Sequence, residues 1–111
     1  MDWLARLRHD LVKRLLWPAR DRRDVGGAPA AGELVASLID GEGRPVTAAA
    51  LWQSLRADAP PGLTPAALDG FAAALARAVA AAEAGDVEGV LALEADVAAL
   101  ERLVRTLEGR K

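Results

Sequence analysis

Hydrophobic positions along this chain fall at helical spacings, most clearly in its last quarter. Val90, Leu93, Val97, Leu100, Val104 and Leu107 recur at intervals of three and four, the repeat by which one helix docks along another. Leu91 and Leu103 flank this seam, so the apolar arc is broader than a two-stranded coiled coil needs and suits a helix touching two or more neighbours. The same spacing predicts a first helix over residues 2–17. There Leu4, Leu7, Leu11 and Leu15 share a face widened by Val12 and Leu16, and the ladder Asp2–Arg6–Asp10–Arg14 lies opposite.

Breakers and caps divide the rest. Pro18 predicts a stop or kink, and residues 18–32, with the Arg20–Arg23 charge cluster and Gly26, Gly27, Pro29 and Gly32, read as a linker or loop. A short helix is predicted from Ala30 to Ile39, with Leu34, Val35, Leu38 and Ile39 inward and Gly41 ending it. Thr47 and Thr64 are each placed as an N-cap, with an apolar residue before the cap set to pack on a Leu inside the helix. Pro65 at the first helical position strengthens the second start. These starts give a third helix over about 48–58, ending before Pro60-Pro61-Gly62, and a fourth over about 65–84 with Leu68, Phe71, Leu75 and Val79 as its apolar face. Gly85-Asp86 separates that helix from a fifth over about 87–108, capped by Asp86 and stopped by Gly109. So short a turn predicts an antiparallel hairpin. The expectation is one all-α domain over 1–111: a basic amphipathic helix (2–17), a linker (18–32) and a helical core (33–111). It forms a small helical bundle built around the long C-terminal hairpin, with the first and third helices completing the core.

Composition supports this class. Hydrophobic residues make up 52%, much of it alanine, the best helix former, while Trp3, Trp17, Trp52 and Phe71 are the only aromatics. No strand-length run alternates β-branched or aromatic residues with polar ones. Without cysteine, disulfides, thiolate chemistry and cysteine-held metals are excluded. Asp2, Arg6, Arg8, His9 and Asp10 interrupt any signal-peptide-like start, and the runs Leu34–Ile39 and around Arg77 read as too short or weak to span a bilayer. A soluble, cytoplasmic protein is the resulting expectation.

Charge adds an asymmetry. Residues 1–23 hold seven basic against three acidic side chains, a net of +4, and residues 24–111 hold seven against thirteen, a net of −6. Glu94, Glu101 and Glu108 stand together beside the C-terminal seam, seven residues apart. The basic first helix is predicted to neutralise that edge within the molecule, or to meet an acidic partner or an anionic membrane. Arg8 sits inside the first helix's apolar arc, which leaves two readings open. Its stem packs while its head reaches water, or it pairs with a carboxylate of another helix or a partner.

Candidate chemistry is sparse. Arg8-His9-Asp10-Leu11-Val12-Lys13 resembles the phosphoacceptor segment of histidine phosphotransfer domains and kinase dimerisation helices, a resemblance that implies a phosphorylated His9. The small flanking residues that let a receiver domain approach are absent. Residues 45–84 resemble a helix-turn-helix or winged-helix unit, but Arg77 is the only cation from Pro65 to Ala84, too little for phosphate binding. Ser37 and Ser54 are the only serines, His9 the only histidine, and Cys and Tyr are missing, so nucleophile–base–orienter sets lack parts. The glycines at 26–27 and 41–43 lack phosphate-loop spacing, and Glu83, Asp86, Glu88, Glu94 and Asp96 form no metal-cage pattern.

The function expected from the sequence is therefore a non-catalytic helical interaction module, an adaptor or assembly subunit with a protein partner or a second copy. Its partner-binding residues would be Trp3, Leu7, Arg8, Leu11, Lys13 and Arg14, rimmed by Arg20, Arg22 and Arg23. No cofactor, metal, small-molecule substrate or nucleic acid is expected. The alternatives are phosphotransfer through His9 and membrane-surface attachment by residues 2–17, with Trp3 and Trp17 near that helix's ends.

Overall fold

Trp3, Leu7, Leu11, Leu15 and Ala19 stand at strict intervals of four, and all five are buried. On a 3.6-residue helix that spacing drifts by about 40° per step. Part of the drift is taken up by a π-helical turn, Arg8–Val12, in which the Lys13 N–H bonds the Arg8 carbonyl and each residue turns the helix by less. The computed structural model describes residues 2–25, 42–44 and 46–109. In it, α1 (Trp3–Leu7), the π turn and α2 (Lys13–Val25) follow one another without a break. Asp2 caps the start, accepting from the Ala5 N–H at 2.8 Å.

The stop predicted at Pro18, and the linker predicted to begin there, are not what forms. Helix continues through Pro18 to Val25. Proline forfeits one backbone bond, but the residues beyond it are held by tertiary contacts, with Ala19 in the core and Arg20 on Glu94. The rest of the predicted linker and the helix predicted from Ala30 to Ile39 lie outside the described residues.

α3 (Ala48–Ala57) and α4 (Pro65–Glu83) start where their caps predict. The Thr47 and Thr64 side chains accept from the Ala50 and Ala67 N–H groups, each at 3.1 Å, and each cap is worth about 1 kcal/mol. α4 ends in a tight reversal. The Asp86 N–H bonds the Ala81 carbonyl at 2.8 Å and the Gly85 N–H bonds that of Ala82 at 3.2 Å. Gly85 supplies the positive φ of 75° that this arrangement needs. Asp86 then caps α5 (Val87–Leu91) by accepting from the Gly89 N–H. Gly89 is where the two helices close on each other, since a Cβ there would stand 2.6 Å from the Ala81 Cβ.

The predicted fifth helix is interrupted once. At Ala92 the chain tightens, with an Ala95 N–H to Ala92 carbonyl bond, and α6 (Leu93–Glu108) follows. Val90 and Leu93 straddle this tightened turn and both stay buried. The seam as a whole faces inward as predicted, with Val97, Leu100 and Val104 buried and Leu107 packed against the core. α4 and the α5–α6 pair form the C-terminal antiparallel hairpin, and α1–α2 and α3 complete an all-α bundle.

Three of the four aromatics join these elements. Trp3 and Trp52 meet edge-on at 6.4 Å between ring centroids, and Trp52 and Phe71 lie 5.0 Å apart. The Trp3 Nε1 donates to the Leu55 carbonyl at 2.7 Å, so one indole ties α1 to the end of α3 while it packs.

If helix runs through Pro18, Pro18→Ala restores a backbone donor and stabilises the protein. Urea denaturation is expected to show a gain of roughly 1–3 kcal/mol, whereas a linker at this point would give no gain.

Candidate interaction surface

The first helix holds both groups of residues that the sequence nominates for binding, and the fold separates them. Trp3, Leu7 and Leu11 are buried, Leu7 and Leu11 completely, against α3 and the hairpin. The groove assigned to them is therefore the molecule's own core. The apolar face that a bilayer would take up under the membrane reading is covered by the bundle. Of the two tryptophans proposed as interfacial anchors, Trp3 is buried and only Trp17 is exposed, at 60%.

The basic residues lie outside and are largely answered by the protein itself. Arg8 pairs with Glu101 and Arg20 with Glu94, joining the first helix to α6 in antiparallel sense. The Arg20 Nε donates to Glu94 at 2.8 Å. Arg8 keeps half of its side chain in water while its partner Glu101 is only 14% exposed, so it both snorkels and pairs. Arg6 reaches Asp58 at 3.0 Å and Arg56 reaches Asp69 at 2.7 Å. Arg14 turns back to the Asp10 carbonyl at 3.2 Å. Lys13 and Arg23 are exposed and Arg22 half-buried. The predicted neutralisation of the basic helix by the acidic edge thus occurs at Glu94 and Glu101; the side chain of Glu108 lies outside the described residues. Between the two ion pairs, Val12, Leu16 and Val97 floor a slot of about 170 Å³. His9 is exposed on the π turn, with Lys13 exposed one turn on. Among the described residues no cluster of His, Asp and Glu has the arrangement of a metal site.

The larger concavity lies elsewhere, between α3 and α4. It encloses about 440 Å³. Trp52, Ala72, Leu75 and Val79 make its apolar floor and walls, and Ala49, Gln53, Ala76, Ala80 and Glu83 form an exposed rim. Its flanks exist because the two Thr caps start both helices cleanly, and because Arg56–Asp69 pins α3 to the first turns of α4. Trp52 is 2% exposed, and its Nε1 finds no acceptor among the described residues, a cost of about 1–3 kcal/mol for a buried donor.

Sequence reasoning did not single out this groove. One available signal was the outer side of the fourth helix, where alanine and glycine fill most of the exposed positions around Asp69 and Arg77. That run reads as too short or weak to span a bilayer, yet α4 is long and apolar enough to do so by length and composition. In the fold its Leu68–Phe71–Leu75 side is the bundle core. The helix-turn-helix resemblance also falls on α3 and α4, where α4 offers phosphate a single cation, Arg77, and Arg56 of α3 is taken up by Asp69. No protein-family model, no curated protein and no solved structure matches this chain.

The charge pairing makes a testable statement about Arg8 and Glu101. A double-mutant cycle with Arg8→Ala and Glu101→Ala is expected to give a coupling of about 0.5–1 kcal/mol at low salt, shrinking at high salt. Zero coupling at low salt would remove the pair from the list of interactions that orient the first helix.

Proposed function

We propose that this protein is a small helical interaction module, an adaptor or assembly subunit that performs no chemistry and docks a helix along α3 and α4. The observation that carries the proposal is the groove of about 440 Å³ with its apolar floor and open, small-residue rim. Grooves of that kind accept the apolar face of an amphipathic helix. Alanine at Ala49, Ala76 and Ala80 leaves room for an incoming backbone to come close. The binding surface moves from the first helix, where the sequence suggested it, to the groove between α3 and α4. Arg8 and Arg20 then serve orientation inside the molecule, and Lys13 and Arg23 are left as solvent-facing charges.

A phosphotransfer role draws only on the exposure of His9, which most surface histidines share, so the groove carries the stronger case.

A photo-crosslinking amino acid placed at Gln53, on the groove rim, tests the proposal in cells producing the full chain. One discrete adduct is expected from Gln53, lost when Val79→Asp puts a charge on the groove wall, and none from the same label at Lys13. Labelling from Gln53 that is no more specific than from Lys13 would contradict it.

A further inference from the structure

The outer face of α4 is self-complementary. Ala66, Asp69, Gly70, Ala73, Ala76, Arg77 and Ala80 are all exposed, and their spacing reads the same in both directions from Ala73. A second α4, laid antiparallel about a two-fold axis at Ala73, sets Ala66 against Ala80, Gly70 against Ala76 and Asp69 against Arg77. Each contact occurs twice, as an isologous interface requires. The two charges fall opposite each other with opposite sign. Asp69 already accepts from Arg56 at 2.7 Å, and a carboxylate has lone pairs for a second donor. Arg77 has no ion pair among the described residues.

Gly70 points the same way. A glycine inside a helix costs about 1 kcal/mol relative to alanine. No contact among the described residues explains it, since a Cβ there would meet none of their atoms within 4 Å. A helix crossing closely at this point would need the missing side chain. Ala76 and Ala80 belong both to this face and to the rim of the α3–α4 groove. The same register therefore brings the start of the second copy's α4 to the Ala80–Glu83 end of the groove. The Trp52 Nε1 that lines this groove still lacks an acceptor.

We propose that α4 pairs with the α4 of a second copy in this antiparallel two-fold arrangement, so that the module's occupant is its own chain. The proposal rests on reading α3–α4 as a docking surface and names what docks there. Asp69 and Arg77 decide against the bilayer that α4's composition would otherwise suit, because a bilayer rejects both charges and an antiparallel copy pairs them. Small side chains bury little apolar area, so the pairing belongs to the weak, small-interface class, to be sought around a dissociation constant on the order of 100 µM.

Sedimentation equilibrium on the full chain from about 10 µM to 1 mM, spanning that constant, tests the pairing. The expected result is a monomer–dimer equilibrium that Gly70→Leu abolishes while the fold is kept or stabilised, since leucine is the better helix former. In an Arg56→Ala background, which removes the pair that Asp69 makes inside the chain, Asp69→Arg alone and Arg77→Asp alone should each weaken dimerisation by about tenfold or more, and the two together should restore it. The chain has no cysteine, so Ala73→Cys should oxidise to a disulfide-linked dimer while Ala95→Cys, on exposed α6 surface, should not. A monomer throughout the range, a dimer indifferent to Gly70→Leu, or failure of the double reversal to restore would overturn the proposal. If the chain is monomeric but the Gln53 photo-adduct contains a different protein, the docking surface stands and the second copy falls. If no specific adduct forms either, both fall. Binding of the monomer to phosphatidylcholine vesicles through α4 would likewise replace the second copy with a membrane.

Discussion

Trp3, Trp52 and Phe71 touch in a line, and the arrangement of the bundle depends on that contact. The remaining core is leucine, valine and alanine. Aliphatic surfaces of that kind pack in several registers at similar burial, and cores built from them alone lose uniqueness before they lose helix. Ring contacts at 6.4 and 5.0 Å fix how α1, α3 and α4 stand to one another. Each aromatic pair is worth about 0.5–1.5 kcal/mol beyond its buried area. The Trp3 Nε1 bond to the Leu55 carbonyl adds direction, because a one-turn slip of α1 would bury that donor without an acceptor.

With α1 fixed at its tryptophan, the rest of the first helix is carried along the hairpin, and the charges follow. Arg8 arrives at Glu101 and Arg20 at Glu94. Such partly exposed pairs contribute little stability but disfavour other registers. The same consistency explains why helix persists beyond Pro18. Once Ala19 is in the core and Arg20 is on Glu94, uncoiling the segment would lose more than the one bond that proline cannot make. Among the described residues the outer side of α4 has one such contact, Arg56 with Asp69, and it is the face on which association is proposed.

Much of the fold was legible because its signals are local. Thr47, Thr64 and Asp86 cap in the way their sequence context predicts, Gly85 takes the left-handed turn, and the Val90–Leu107 seam faces inward. Heptad spacing marks the acidic edge as the counterpart of the basic first helix, and Arg8 meets that edge at Glu101; Arg20, expected on a partner-facing rim, meets it too, at Glu94. The errors lie where a local rule met a tertiary one. Proline reads as a breaker whatever lies beyond it, and the π turn at Arg8–Val12 has no mark in a wheel drawn at 100° per residue. The site was read poorly for a related reason. An amphipathic basic helix looks the same whether its apolar face meets a partner or its own core, and Trp3 and Leu11 turned out to face the core. The α3–α4 groove is formed from alanines on two helices, and its concavity depends on how those helices cross.

The most direct test of the aromatic line is the amide spectrum of Trp52→Leu, recorded with its thermal unfolding. If the rings select the register, the variant keeps its far-ultraviolet helical signal but loses amide dispersion and sharp cooperative unfolding, as a loosely packed helical state does. A well-dispersed spectrum with a sharp transition and a loss below about 1 kcal/mol, the size of an ordinary tolerated core swap, would contradict it.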